Sequence, residues 1–217
     1  MTIPNLSPCV FLDRDGTINE DVGYLDRLER LVLYPACIDA VRLLNRAGFL
    51  VAVVTNQAGV AQGLYGEDFV RDLHRHIGQR FRAGGARIDG FYYCPHLSTA
   101  AVAEYRKECD CRKPRPGLVR QAEHDLHVDL ARSFVVGDRW RDVEMGQAVG
   151  ARTVLVRTGY GRTEEAHPQA GVSVDAVVDH IMQAVVWILE QERHGAAVAL
   201  QASAPREAQT RDGANRQ

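Results

Sequence analysis

Cys9-Val-Phe-Leu-Asp-Arg-Asp-Gly-Thr17 decides how the rest of the chain is read. Four apolar residues run without alternation into acids, the pattern of a strand covered on both faces that ends at a polar edge. The next segments repeat the theme. Pro35 to Ala47 reads as a helix, with Pro35 at its first position, Gly48 just past its end, and Ile38, Val41 and Leu44 on one stripe. Leu50-Val-Ala-Val-Val-Thr55 is a second continuous strand. A helix is expected from Glu67 to Phe81, then a strand over Phe91–Cys94 and a helix over Gly117–Leu126. A strand over Ser133–Gly137, a helix over Trp140–Val149 and a strand over Thr153–Val156 come next. Val174–Val178 is the last strand expected, followed by a helix to about Arg193.

Strand–helix–strand order demands right-handed crossovers, so the expected fold is α/β: a doubly wound, mostly parallel, Rossmann-like sheet. The 217 residues fit one domain, assigned to residues 1–194. Residues 195–217, rich in Ala, Gln and Arg and without periodicity, are expected to be a disordered tail. A net charge of −2 offers no basic excess for nucleic acid, and no apolar run spans a bilayer. The first residues lack the features of a signal peptide, so a cytoplasmic protein with reduced cysteines is expected.

In such sheets ligands bind beyond the carboxyl ends of the strands. Here those ends deliver Asp13 and Asp15, Thr55, and Asp138. Asp13 and Asp15 are two apart, so in extended chain they lean to one side. Paired carboxylates repel unless a cation or a proton intervenes. Mg²⁺ held by Asp13, Asp15 and Asp138 meets that need. A polar turn that merely caps a helix is the alternative for Asp13–Thr17 taken alone, but the order of the strand-end motifs disfavours it.

Phe11-Leu-Asp-Arg-Asp-Gly-Thr-Ile-Asn19, Val54-Thr-Asn-Gln57, Lys113-Pro114 and Val136-Gly-Asp-Arg-Trp-Arg-Asp142 resemble, in order, the four motifs of the haloacid-dehalogenase-like (HAD) phosphotransferases. The resemblance implies that Asp13 attacks phosphorus and forms an aspartyl phosphate. It makes Asp15 the general acid and base, Thr55 and Lys113 stabilisers of the phosphoryl group, and Asp138 a metal ligand, with Asp15 giving Mg²⁺ its backbone carbonyl. Asp142 is expected to brace its loop. A phospho-accepting receiver domain, the alternative of a different class, lacks an acid matching Asp15.

Cys94-Pro-His96 and Cys109-Asp-Cys111 flank a short loop. Three thiolates and an imidazole suit a closed, tetrahedral, structural Zn²⁺ site; a strained disulfide or free thiols are the alternatives. Cys9 and Cys37 read as small core residues. The other histidines read as scattered, with His74 and His76 unable to face one ligand.

No cap domain fits between these motifs, so a capless site with specificity from its loops is expected. Asp21, Val22, Gly23 and Tyr24, then Asn56, Gln57 and Ala58, and then Arg112 and Arg139 are the candidate substrate contacts. The zinc loop, Cys111-Arg-Lys-Pro114 and Arg157-Thr-Gly-Tyr-Gly161 resemble the heptose-bisphosphate phosphatase branch of the superfamily. That implies a monomer removing the 7-phosphate of D-glycero-D-manno-heptose 1,7-bisphosphate during nucleotide-activated heptose synthesis for lipopolysaccharide. The histidinol-phosphate phosphatases share the zinc loop and are the alternative. Gln62 stands where the heptose type carries Arg.

Overall fold

A computed structural model describes residues 6–203. Six strands, β1 (Cys9–Leu12), β2 (Leu50–Asn56), β3 (Gly90–Cys94), β4 (Phe134–Gly137), β5 (Arg152–Val156) and β6 (Ala176–Val178), form one sheet in the order β3-β2-β1-β4-β5-β6. Every pairing is parallel. The chain winds from β1 toward one edge and then returns to start β4 on the other side of β1. That reversal leaves a crevice above β1 and β4, where doubly wound sheets bind ligands.

Seven helices accompany the strands among the described residues: α1 (Cys37–Arg46), α2 (Ala58–Ala61), α3 (Glu67–Ala83), α4 (Gly117–Leu126), α5 (Trp140–Val149), α6 (Gly161–Ala166) and α7 (Ile181–Ser203). Alternate residues of each strand face opposite layers. Val10, Leu12, Val51 and Val53 pack with Val41 and Leu44 of α1, Leu73 and Ile77 of α3, and Val185 and Ile188 of α7. Cys9, Phe11, Ala52 and Val54 pack with Leu118 and Val119 of α4 and Met145 of α5. Cys9 and Cys37 are buried in these layers, as core residues should be. Only α2 and α3 lie between β2 and β3, and only α1 and a 3₁₀ turn between β1 and β2, so the site is capless.

Three expectations need correction. Pro35 is outside α1, because Ala36 takes a left-handed conformation (φ 60°) and breaks the run of helical dihedrals. The last strand begins at Ala176, since Val174 packs instead beside Trp140 and Val143. The final helix continues beyond Arg193 to Ser203. The rest of the expected tail, 204–217, lies outside the described residues. The loop before β6 also holds α6, which composition did not signal.

Candidate active site

Register explains the convergence. Leu12 is aligned with Val53 of β2 and Val136 of β4, so Asp13, Thr55 and Asp138 leave neighbouring strands at almost one level. All three are nearly inaccessible, at 7%, 1% and 1% exposure. Lys113 approaches from the loop before α4, and Asp142 from the first turn of α5.

Lys113 is the hub. Its ammonium lies 2.8 Å from Asp13 Oδ1 and 2.6 Å from Asp142 Oδ1, and donates to the Val54 carbonyl at 3.0 Å. The ammonium thus makes two ion pairs and one hydrogen bond. Burial opposes its charge, but Asp13 and Asp142 outweigh that and raise its pKa. Asn56 fixes its backbone from both sides, accepting from Lys113 N–H at 3.1 Å and donating to Lys113 C=O at 3.2 Å. Asp142 braces its loop as expected, with Oδ2 accepting from Arg139 N–H at 3.1 Å, and in addition holds Lys113 directly.

Carboxylates of Asp13, Asp138 and Asp142 come within 4.8 Å of one another. Burial, reinforced by neighbouring acids, pushes the Asp13 carboxyl up to about 6 despite Lys113. Burial together with the charges of Asp13 and Asp142 pushes Asp138 up to about 8. When all three carboxyls are ionised, one ammonium leaves two negative charges uncompensated. Asp138 Oδ2 accepts from Tyr160 N–H at 2.8 Å, whereas its buried Oδ1 has no partner among the described residues. Such an orphaned acceptor is costly, and a hard divalent cation fits both the oxygen donors and the charge deficit. Gly16 (φ 84°) and Gly159 (φ 55°) line this spot, and a Cβ on either would strike the Asp138 carboxylate.

The carboxylate of Asp15 does not join that cluster. The chain leaves strand geometry at once, with Ile18 N–H and Asn19 N–H donating back to Arg14 C=O, so the two-residue alternation fails. Asp15 instead accepts from Arg14 (2.8 Å), Asn19 (2.9 Å) and Gln57 (3.0 Å). Its side chain still borders the cleft, as do those of Asp13, Thr55 and Lys113. Gln57 also donates to Thr55 Oγ1 at 2.9 Å, leaving the hydroxyl proton free to donate elsewhere.

Asp21, Gly23, Tyr24, Asn56, Gln57, Ala58, Arg112 and Arg139 line the same cleft. Val22 does not. It packs against the hydrophobic core, and its carbonyl accepts from Arg30. Gln62, just past the end of α2, is also away from the lining. Three lining residues were missed: Tyr65, Arg141 and Tyr160. Arg139 stacks on the Tyr160 ring with its guanidinium carbon 3.4 Å from the centroid. Arg112, Arg139 and Arg141 thus rim the mouth with positive charge above an acidic floor.

Beside the cleft, Cys94, His96, Cys109 and Cys111 bring their donor atoms together. Cys111 Sγ lies 2.9 Å from Cys94 Sγ and 3.2 Å from Cys109 Sγ, and 3.3 Å from His96 Nδ1. These sulfur separations are far beyond a disulfide bond of about 2.05 Å. The crowded thiol of Cys111 is pushed strongly up by Cys94 and by burial. Three sulfurs and one imidazole nitrogen in contact form a donor set suited to a tetrahedral soft-metal site. Arg112 donates to the His96 carbonyl at 3.0 Å, tying the cleft rim to this cluster.

Similarity to known proteins agrees with this geometry. The HAD-hydrolase-like family model matches residues 110–184. The D-glycero-beta-D-manno-heptose-1,7-bisphosphate 7-phosphatase of Vibrio cholerae serotype O1 is 40% identical over 173 residues, covering 79% of this chain and 93% of its own. Its Escherichia coli K12 counterpart is 41% identical, covering 79% and 91%. The crystal structure of D,D-heptose 1.7-bisphosphate phosphatase from B. bronchiseptica, complexed with magnesium and phosphate, superposes with a TM-score of 0.76 at 28% identity. It covers 85% of this chain and 99% of that one. The chain belongs to the HAD-like hydrolases, in the family of these heptose-bisphosphate phosphatases.

Proposed function

We propose that the protein is a Mg²⁺-dependent phosphatase that removes the 7-phosphate of D-glycero-D-manno-heptose 1,7-bisphosphate through an aspartyl-phosphate intermediate. The observation that carries this reading is the pairing of Asp13 with Lys113 at the floor of a cleft rimmed by arginines. Identity of 40% to enzymes of that name favours the heptose over histidinol phosphate.

Asp13 Oδ1 is held by Arg14 N–H at 2.7 Å and by Lys113, which aims the other oxygen at an incoming phosphorus. Positioning of this kind supplies much of the rate in phosphoryl transfer. Thr55 donates its hydroxyl proton to a phosphoryl oxygen, and the Lys113 charge favours the growing negative charge there. Asp15 protonates the departing sugar oxygen, then takes a proton from the water that cleaves the acyl phosphate. Asp13 is thereby regenerated and inorganic phosphate leaves. Asp13, Asp138 and the Asp15 carbonyl would hold Mg²⁺, which supplies charge neutralisation to the phosphate dianion. Asp21, Gly23, Tyr24, Asn56, Gln57 and Ala58 shape the sugar site, and Arg112, Arg139 and Arg141 receive the second phosphate. Cys94, His96, Cys109 and Cys111 would hold Zn²⁺ for structure only.

Mg²⁺ is expected to stabilise the fold as well. At 100 times its Kd it should add about 2.7 kcal/mol, a rise in Tm of roughly 5–10 °C for a chain of this size. Asp13 and Asp138 titrate at about 6 and 8 when folded, above the ordinary 3.8. The stability they contribute is therefore present below about pH 4 and lost as pH rises toward 8. In EDTA the melting temperature should carry that downward contribution, and Mg²⁺ should cancel it; Asp138→Asn should remove the Mg²⁺ response. A Tm indifferent to Mg²⁺ at pH 8 would contradict the metal assignment.

Substrate is tested by kcat/KM on heptose 1,7-bisphosphate, as both anomers, against histidinol phosphate. The bisphosphate is expected to lead by about 100-fold or more, since a site built for a second phosphate leaves its cations unpaired with the other ester. A faster rate on histidinol phosphate would overturn the substrate and leave the chemistry intact.

A further inference from the structure

Arg14 is the largest fully buried side chain, with 1% exposure. A guanidinium carries five donors and is costly to bury unless they are met. Nε donates to Asp15 Oδ1 at 3.1 Å, and Nη2 reaches Asp15 Oδ1 at 3.0 Å, Asp15 Oδ2 at 2.8 Å and Gln57 Oε1 at 3.0 Å. Nη1 turns the other way, into the protein, and meets Nε2 of His74 at 3.3 Å. Because a guanidinium only donates, Nε2 must accept, which places the ring proton on Nδ1. Burial and the Arg14 charge lower the His74 pKa well below its ordinary value, so the ring is neutral and able to accept.

The ring has little freedom. It stacks on Phe91 with centroids 4.9 Å apart and planes 19° from parallel, and meets the edge of Tyr93 at 5.7 Å. A line of contacts thus runs outward from a ring clamped between α3 and β3. It passes through His74, 4% exposed, and Arg14, 1% exposed, to the Asp15 side chain, 19% exposed at the cleft.

We infer that His74 is a positioning residue for Asp15: by accepting from Nη1 it fixes the plane of the Arg14 guanidinium, and the guanidinium's fork fixes the carboxylate toward the leaving oxygen. The inference rests on the reading of Asp15 as general acid. Proton donation matters when the departing group is a poor one, such as a sugar alkoxide. A p-nitrophenolate departs without it. In the step that forms the aspartyl phosphate, loss of His74 should therefore fall on one substrate class and spare the other, which a general loss of folding would not do; hydrolysis of that shared intermediate, for which Asp15 is the base, slows equally for both.

The decisive comparison is His74→Gln with His74→Asn. The Gln side chain can place a carbonyl oxygen near the position of Nε2, whereas Asn is too short and reaches only the position of Nδ1. Both are neutral amides, so their cost to folding is similar. Asn is expected to lower the single-turnover rate of leaving-group release from the sugar phosphate by about 30-fold, with the single-turnover burst of p-nitrophenolate slowed by less than about 3-fold. Gln is expected to restore the sugar-phosphate rate to within about 3-fold of the native enzyme, by providing the acceptor. Equal losses in this step on both substrates, or equal rates for Gln and Asn, would overturn the inference. Asp15→Asn is run beside them. If it shows the same discrimination against the sugar phosphate and His74→Asn does not, His74 fails alone. If Asp15→Asn shows none, the general-acid reading fails and the inference falls with it.

Discussion

Asp13→Asn is expected to lower kcat by at least about 10⁴-fold, the scale on which removing a nucleophile acts, while Tm changes little. The amide keeps a carbonyl oxygen that can still accept from Arg14 N–H and from Lys113, so the local hydrogen bonds survive. The change also removes one of three clustered acids whose mutual repulsion raises their pKa values. What is lost is a nucleophilic oxygen anion. An amide oxygen is far poorer in that role and forms no acyl phosphate that water can cleave. Rates should be measured with inorganic phosphate release at saturating Mg²⁺, with the melting curve of the same sample beside them. A variant retaining a tenth of native kcat would exclude Asp13 as the attacking group.

The second large effect is expected from Cys109→Ser. Serine keeps the size of the side chain but offers a hydroxyl where the site needs a thiolate. A closed four-coordinate site that loses one ligand loses most of its affinity, and in small zinc modules binding supplies on the order of 10 kcal/mol of folding free energy. Cys109 lies between the two ends of the cluster, 3.5 Å from Cys94 and 3.2 Å from Cys111 by sulfur–sulfur distance. Residues 112 and 113 follow immediately, and Arg112 is itself anchored to His96. The variant should therefore contain less than one zinc per chain and melt at lower temperature. Its kcat/KM should fall by about 100-fold, as expected for an angstrom-scale displacement of Lys113 and Arg112. Elemental analysis and kinetics on one preparation decide it. Native protein free of zinc yet fully active would end the zinc assignment.

The parts of the site carried by strand ends were legible from sequence because two simple rules locate them. A continuous apolar run marks a central strand, and its next residue faces the crevice; Asp13, Thr55 and Asp138 follow from that alone. The cysteine pairs were legible because a ligand set depends on residue type and spacing more than on packing. Arg14 was not, since an arginine between two aspartates reads as solvated charge, and only its pairing with Gln57 and His74, 43 and 60 residues away, explains its burial. His74 had a signal that went unused. It lies beside Leu73 on the buried face of α3, four residues from both Val70 and Gly78, so a wider stripe than i, i+4 would have placed it inside. Tyr65 and Arg141 had none, because loop and helix-start geometry brings them to the cleft. The expected shared cation between the Asp13 and Asp15 carboxylates failed for a related reason. Alternation holds only while the chain stays extended, and here it turns at Arg14.

The central claim is that phosphorus becomes bonded to the side chain of residue 13 in each cycle. Native enzyme mixed with a slight excess of substrate and Mg²⁺, quenched within one turnover and reduced with borohydride, converts any aspartyl phosphate to homoserine. Peptide mass spectrometry then reads the site. Homoserine at position 13, formed and lost at rates matching turnover and absent without substrate, is the result expected. Unmodified Asp13 throughout a reaction that still releases phosphate would mean direct attack by water, and the mechanism proposed for this cleft would be wrong.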